Sequence, residues 1–499
     1  MCIGENAGVN AMNRHDNEQS GWKRIGWMAV AALVLGAIIG VGAGLLTLLL
    51  YGIEHVMLGY VEGSAAPGPF AVMPIRRAIS VTIGLSIAGV IWWLLRTKST
   101  KVPSVKKAVQ GERMPWWQTL VHVCLQIGIV GSGASIGREV APRELGAMLA
   151  QRFCDVFHVE GIDRRTVVAV AAGAGLGGVY NAPFAGMFFA VEILLADIAI
   201  ENVAFGLGMS ATAAFVAAEV KGRHVFYDIS AMQNNLTPTL MLAALLIGAA
   251  CGVVGAWFRR GSQWAESHKP KGTAIMWQMP LAGVITGVIA LWVPQIMGNG
   301  RAAAQLGFST ISLMTGTAGI SGISGSDSVN TAVVAEQSVS AGETPVSPWK
   351  LLGLSDRQSQ LAVVLLVLLV TCIAKAIATL LTIRSGASGG VLQPGIALGS
   401  TLGAMVGILW SMVFPADSVT ACALIGAAAL LSASQQAPLM AMCLVLELTA
   451  APSAFYVPVT LGVAASCLIS RQLLRPKTSN TLGVKTADKA LIAENSGSA

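Results

Sequence analysis

Charge is scarce in this chain. Only 11% of its 499 residues are Asp, Glu, Lys or Arg, while 54% are hydrophobic; a soluble domain carries about 25% charged residues. Paired cysteines are missing as well. The eight cysteines are scattered, most of them inside apolar runs (Cys124, Cys251, Cys372, Cys443, Cys467), and no C-x-x-C occurs. Neither a disulfide framework nor a zinc site is indicated, and small buried hydrophobes are the expected role. No metal and no cofactor is expected. The first 22 residues are polar and lack the apolar core of a signal peptide. No H-E-x-x-H pattern is present and no paired aspartates lie within the apolar runs, which speaks against an intramembrane enzyme.

What the chain has is length of apolar sequence. Ile25 to Leu50, Ile79 to Leu95, Thr239 to Trp257, Ala274 to Val293 and Leu361 to Ile383 are each long enough to cross about 30 Å of hydrocarbon. The period-2 alternation of an outer-membrane barrel is absent. The fold class expected is an all-α polytopic membrane protein with lipid around it. The net charge of +7 does not point to nucleic acid, because it sits in connections. Lys23 and Arg24 precede the first run; Arg96, Lys98, Lys101, Lys106, Lys107 and Arg113 fill one connection; Arg164 and Arg165 sit in another. Arg259, Arg260, Lys269 and Lys271 fill a third, and Arg471, Arg475 and Lys477 follow the last run. The positive-inside rule then places both termini in the cytoplasm.

The two halves resemble each other. Gly133-Ala-Ser-Ile-Gly137 matches Gly386-Ala-Ser-Gly-Gly390, and Pro142 matches Pro394. Ala171 to Pro183 matches Gly426 to Pro438, and in both halves a glutamate follows that proline by nine residues, as Glu192 and Glu447. The expected divisions are a cytoplasmic segment 1–24, a first membrane repeat 25–220, a second repeat 221–470 and a cytoplasmic tail 471–499. A polar stretch at about 307–348, rich in Ser, Thr and Gly, reads as a long aqueous insertion in the second repeat. Duplicated halves are a common transporter architecture, with the binding site between repeats where helices are broken by Gly or Pro.

Both glycine motifs fit that description. Gly131-Ser-Gly-Ala-Ser-Ile-Gly-Arg-Glu-Val-Ala-Pro142 sets the ionised pair Arg138 and Glu139 among glycines in an apolar region. Charge beside flexible backbone at membrane depth is costly and marks a route for ions or protons. A helix-compatible stretch follows each motif, Arg143 to Arg152 and Gly395 to Leu409, and a helix start at that depth offers free N–H groups to an anion. A G-x-S-x-G pattern occurs within both motifs, but a hydrolase elbow needs a soluble strand before the serine. Lys375 lies inside the apolar run Leu361 to Ile383 and needs a partner or a water-filled cavity.

These residues resemble the CLC family of chloride channels and proton-coupled chloride transporters over roughly residues 27 to 470. Gly137-Arg-Glu-Val-Ala is similar to the family's G-K/R-E-G-P motif, Gly390-Val-Leu-Gln-Pro to G-x-F-x-P, and Asn181-Ala-Pro-Phe-Ala-Gly186 and Gln436-Ala-Pro-Leu439 to further family segments. The resemblance implies a homodimer, each subunit holding its own pore, built from two inverted repeats of tilted helices. It implies that Glu139 is an external gate whose carboxylate occupies an anion site and yields it when protonated. Gly137 and Arg138 belong to that motif, and the backbone amides of Val391 and Leu392 are implied anion ligands. The alternative for Glu139 is a salt bridge to Arg138, although adjacent helical side chains do not face each other.

Three departures stand out. The family's first anion motif, G-S-G-I-P, survives only as Ser99-Thr-Lys-Val-Pro103; Thr100 falls at the anion serine, and its hydroxyl can replace it. Ile193 falls where many family transporters carry an inner proton-transferring glutamate. Glu192 is the residue before it, about 100° away on a helix, and either belongs to the proton path or stabilises a helix end. The inner-gate tyrosine has no clear match, and Thr478 is the nearest candidate. The resemblance implies chloride/proton antiport in a bacterial-type inner membrane, with chloride ion and protons as partners. A passive chloride channel, or export of fluoride or nitrate, are the alternatives.

Overall fold

The computed structural model describes residues 5–64, 66–223, 225–232, 236–310 and 356–475, with side chains from residue 22 onward except at 162 and 356–359. Thr478, most of the 307–348 stretch and most of the C-terminal tail lie outside the described residues. Every regular element among them is a helix. The first half runs α1 (Glu5–Leu58), α2 (Pro74–Lys98), α3 (Val105–Val109), α4 (Trp116–Gly131), α5 (Val140–Val156), α6 (Gly161–Tyr180), α7 (Pro183–Phe188) and α8 (Ile200–Lys221). The second runs α9 (Pro238–Ser267), α10 (Ile275–Trp292), α11 (Arg301–Phe308), α12 (Asp356–Arg384), α13 (Leu392–Ser411), α14 (Val419–Gln435), α15 (Pro438–Thr449) and α16 (Tyr456–Leu474). A π-helical segment, Phe189–Leu195, continues α7. Eight of the described helices are long and apolar enough to cross a membrane, and large apolar side chains such as Leu33, Ile87, Leu246 and Ile377 remain exposed on them. That exposure is costly in water and natural in lipid.

Punctuation explains where the elements begin and end. Proline opens α2, α7, α9 and α15, at the one helical position where its missing N–H costs nothing. The Thr237 and Ser418 hydroxyls cap α9 and α14 by accepting from Leu240 N and Ala421 N. Left-handed residues end four elements: Asn181 and Gln436 after α6 and α14, Ala196 and Ala450 after the π segment and α15. They form two equivalent pairs, at nearly the spacing of the sequence repeat. The repeated Ala/Gly stretches let backbones approach closely. A methyl on Gly146 would meet the carbonyl of Ala171 across α5 and α6, and one on Gly399 would meet that of Gly426 across α13 and α14.

The repeat is inverted, and a pair of carboxylates demonstrates it. Glu192, near the C-terminal end of the α7–π segment, accepts from Leu439 N (3.2 Å) and Met440 N (2.9 Å) at the start of α15. Glu447, near the end of α15, accepts from Phe184 N (2.9 Å) and Ala185 N (2.8 Å) at the start of α7. Each half caps the other. The end of each helix meets the start of its counterpart, so the two run antiparallel and the halves traverse the molecule in opposite senses. A carboxylate on free helix N–H groups also meets the positive end of the dipole.

Candidate functional site

The centre of the molecule is where the two glycine motifs meet. Gly137 N donates to Gly390 O and Gly390 N to Gly137 O, both at 2.8 Å. This antiparallel bridge stands alone among the described residues. It joins the two breaks, one between α4 and α5 and one between α12 and α13, and so aims the starts of α5 and α13 at one point.

Glu139, fully buried at the N-cap of α5, fills that point. Its Oε1 accepts from Leu392 N at 2.5 Å, at the first residue of α13. The carboxylate lies directly over both bridge glycines, and a methyl on either Gly137 or Gly390 would overlap its oxygens. Only glycine leaves that space. The acid of one half thus sits on the helix start of the other, in a place suited to any small anion. Tyr180, the last residue of α6, points its hydroxyl at Oε2 from 3.5 Å. Sequence reasoning missed Tyr180; the available signal was its place inside the repeated stretch Ala171 to Pro183, directly before Asn181.

Arg138 does not pair with its neighbour. Its guanidinium is buried and lies 3.2 Å from Glu62 Oε1, with Arg301 at 3.9 Å from the same oxygen. Asn299 donates to both Glu62 oxygens, at 3.3 and 3.2 Å. Phe226 offers its ring to both cations, 5.4 Å from Arg138 and 4.4 Å from Arg301. The salt bridge weighed as the alternative for Glu139 is therefore made elsewhere, and the carboxylate's partner is the Leu392 amide.

Of the implied anion ligands, Gly137 forms the bridge, Leu392 donates to Glu139, and Val391 is the N-cap residue of α13. Thr100 is exposed in the connection after α2. Glu192 is committed to the start of α15, and Ile193 packs against the hydrophobic core. Lys375 is buried and donates to Ile296 O (2.8 Å) and Gly298 O (2.9 Å), two backbone carbonyls in place of an ionic partner. Among the described residues no cluster of His, Cys, Asp or Glu could hold a metal ion.

Residues 83–471 match the family model described as voltage gated chloride channel. The chain is 29% identical over 364 residues to the H(+)/Cl(-) exchange transporter ClcA of Cronobacter sakazakii, covering 70% of this chain and 66% of that protein. It is 24% identical over 412 residues to the voltage-gated ClC-type chloride channel ClcB of Salmonella typhimurium, covering 80% of this chain and 85% of that one. Among solved structures it is similar to a slow cyanobacterial Cl-/H+ antiporter, with a TM-score of 0.67 at 18% identity, covering 90% of this chain and 95% of that chain.

Proposed function

The chain belongs to the voltage-gated chloride channel (CLC) family, and from that membership we propose that it is a multi-pass membrane transporter exchanging chloride for protons, with Glu139 as its protonatable gate. The observation that carries the reading is the seat of the Glu139 carboxylate: it accepts from Leu392 N at a bridge made by both halves. A carboxylate and a chloride ion compete for the same N–H groups because both are anions. Protonation removes the negative charge, weakens the carboxyl as an acceptor and opens the site; deprotonation closes it again. One group then alternates a bound anion with a bound proton, which is the elementary step of antiport. Family membership also supports a homodimer in a bacterial inner membrane, and the basic connections support cytoplasmic termini.

The deciding measurement is flux in proteoliposomes with chloride and pH read together. A chloride gradient is expected to drive protons uphill. Chloride flow with no proton movement sinks the antiport reading and leaves a passive chloride channel, the reading that Ile193 at the inner position favours.

The glycines make a second test. Gly390→Ala is tolerable for the backbone, since Gly390 is not among the residues of positive φ. The added methyl points into the seat of the carboxylate. It is expected to weaken chloride binding, read by calorimetry, at least about tenfold, which corresponds to ~1.4 kcal/mol. Unchanged affinity would place the anion elsewhere.

A further inference from the structure

Glu144 is a buried carboxylate that the gate does not use. It lies on α5, five residues past Glu139, which is about 7.5 Å further along the helix. The direction matters. The C-terminal end of α5 is fixed to the connection that carries Arg96 to Arg113: Asp155 pairs with Arg113 and Arg164, both at 2.8 Å, and Met114 N donates to Gln151 Oε1 at 2.8 Å. Glu144 therefore stands between Glu139 and the basic face of the molecule.

Its surroundings give it a neutral hydrogen bond to α4 but no permanent counter-charge and no helix start. The other buried or half-buried glutamates are accounted for: Glu62 holds two arginines, Glu192 and Glu447 cap helices, and Glu54 accepts from Glu62 N. Glu144 caps nothing and touches no cation within salt-bridge distance among the described residues, apart from the ring of His122. Gln126 Nε2 donates to Oε2 at 2.6 Å, and His122 Nε2 lies 3.6 Å from the same oxygen. Trp92 settles which histidine nitrogen carries hydrogen. The indole can only donate, and it donates to His122 Nδ1 at 2.8 Å, so the neutral ring holds its proton on Nε2, facing Glu144. One neutral donor, Gln126, thus holds the oxygen, with the His122 N–H facing it from beyond hydrogen-bond distance. Oε1 has no hydrogen-bond partner among the described residues, and the side chain keeps 7% exposure. The charged groups that face the pair are Arg143 on the same helix, Lys269 on the connection after α9, and Arg96 at the end of α2. A carboxylate buried on a neutral donor costs stability, and the cost is explicable if the group must change charge.

We propose that Glu144 is the internal proton station of this chain, replacing the carboxyl that Ile193 lacks, with Gln126 and His122 as positioning residues. The proposal rests on the antiport reading. A hydronium ion at the basic face breaks one of its O–H bonds to give a proton to Oε1, which forms the new O–H bond and leaves a water molecule. That bond breaks when the proton passes, by way of one or two water molecules, to the Glu139 carboxylate, and Glu144 returns to its anionic form. His122 is not a relay, because Nδ1 is taken by Trp92.

Glu144→Gln tests this in proteoliposomes with chloride and proton flux recorded together. The expected result is a proton-to-chloride ratio lowered at least about tenfold with chloride flux retained, and Glu144→Asp recovering part of the ratio. Gln126→Leu is the second variant. It leaves Glu144 in place and removes a buried Oε1 of Gln126 that has no partner, but it also takes the Nε2 donor from Glu144 Oε2, so thermal unfolding in detergent is recorded beside the flux to show that the variant folds. Losing a donor to its charged form makes Glu144 hold its proton to higher pH, and the midpoint of proton flux is expected to move up by about one pH unit. An unchanged ratio in Glu144→Gln, or an unmoved midpoint in Gln126→Leu, overturns the proposal while wild-type coupling stands. If the wild type moves no protons, the antiport reading and this proposal fall together.

Discussion

Proton flux in Glu139→Gln is expected to drop at least about 100-fold while chloride continues to flow. Positioned proton-transfer groups contribute roughly 10²- to 10⁴-fold, and a carboxamide takes no proton in the working pH range. Its shape is nearly that of the carboxyl group, so the fold around Gly137 and Gly390 has no reason to rearrange. What changes is competition. A carboxylate seated on Leu392 N at 2.5 Å excludes another anion, whereas a neutral amide holds that N–H more weakly than a charged acceptor does. Wild-type chloride flux is therefore expected to rise as pH falls, because protonation releases the seat, and the variant is expected to show a flat profile. Both are read in the same liposome experiment with the external pH stepped. A variant that keeps its coupled, pH-dependent flux removes Glu139 from the role.

Parts of this arrangement were legible in the sequence for a simple reason: they are written as repeated local patterns. Two glycine breaks, each before a helix start, recur in the same order with Pro183 and Pro438 and with Glu192 and Glu447 behind them. Local chemistry carries those signals and points to a duplicated helical membrane architecture; that the two repeats are inverted was implied only by the resemblance to the CLC family. What the pattern could not say is which half each group serves. Glu192 and Glu447 each sit nine residues after a proline in their own half, yet each binds the helix start of the other. Tyr180 reaches Glu139 across 41 residues, and Leu392 across 253. Trp92, His122 and Glu144 lie on three different helices and share no motif. Such partnerships depend on how helices pack, and a single chain of letters holds no periodicity that encodes them. Lys375 shows the same limit. The sequence requires a partner for it, and the partner is a pair of backbone carbonyls, which no side-chain pattern can announce.

Glu62→Leu is expected to cost about 3–5 kcal/mol of folding stability, the range for removing one partner of a buried ion pair. The reason lies in what remains. Arg138 and Arg301 are buried beside the same Glu62 oxygen, and with that anion gone the two guanidiniums keep the faces of Phe226 and Tyr180 and the Glu54 carboxylate, which lies beyond salt-bridge distance. Ring faces contribute about 0.5–2 kcal/mol each, too little to replace an ionic partner in a medium that solvates charge poorly. Asn299 loses its acceptor at the same time. Thermal unfolding of the purified protein in detergent measures the loss. Arg138→Met alone leaves Glu62 only the longer contact to Arg301 and the Asn299 donors, whereas the double variant Glu62→Leu/Arg138→Met removes both members of the closer pair, so it is expected to fall short of the summed single costs by at least about 1 kcal/mol. Strict additivity would mean that the two groups do not support each other. The pair matters to the proposed gate because Arg138 precedes Glu139 directly. Glu62 draws the guanidinium aside, and that leaves the Glu139 carboxylate on the amide of Leu392 with no ionic partner from its neighbour.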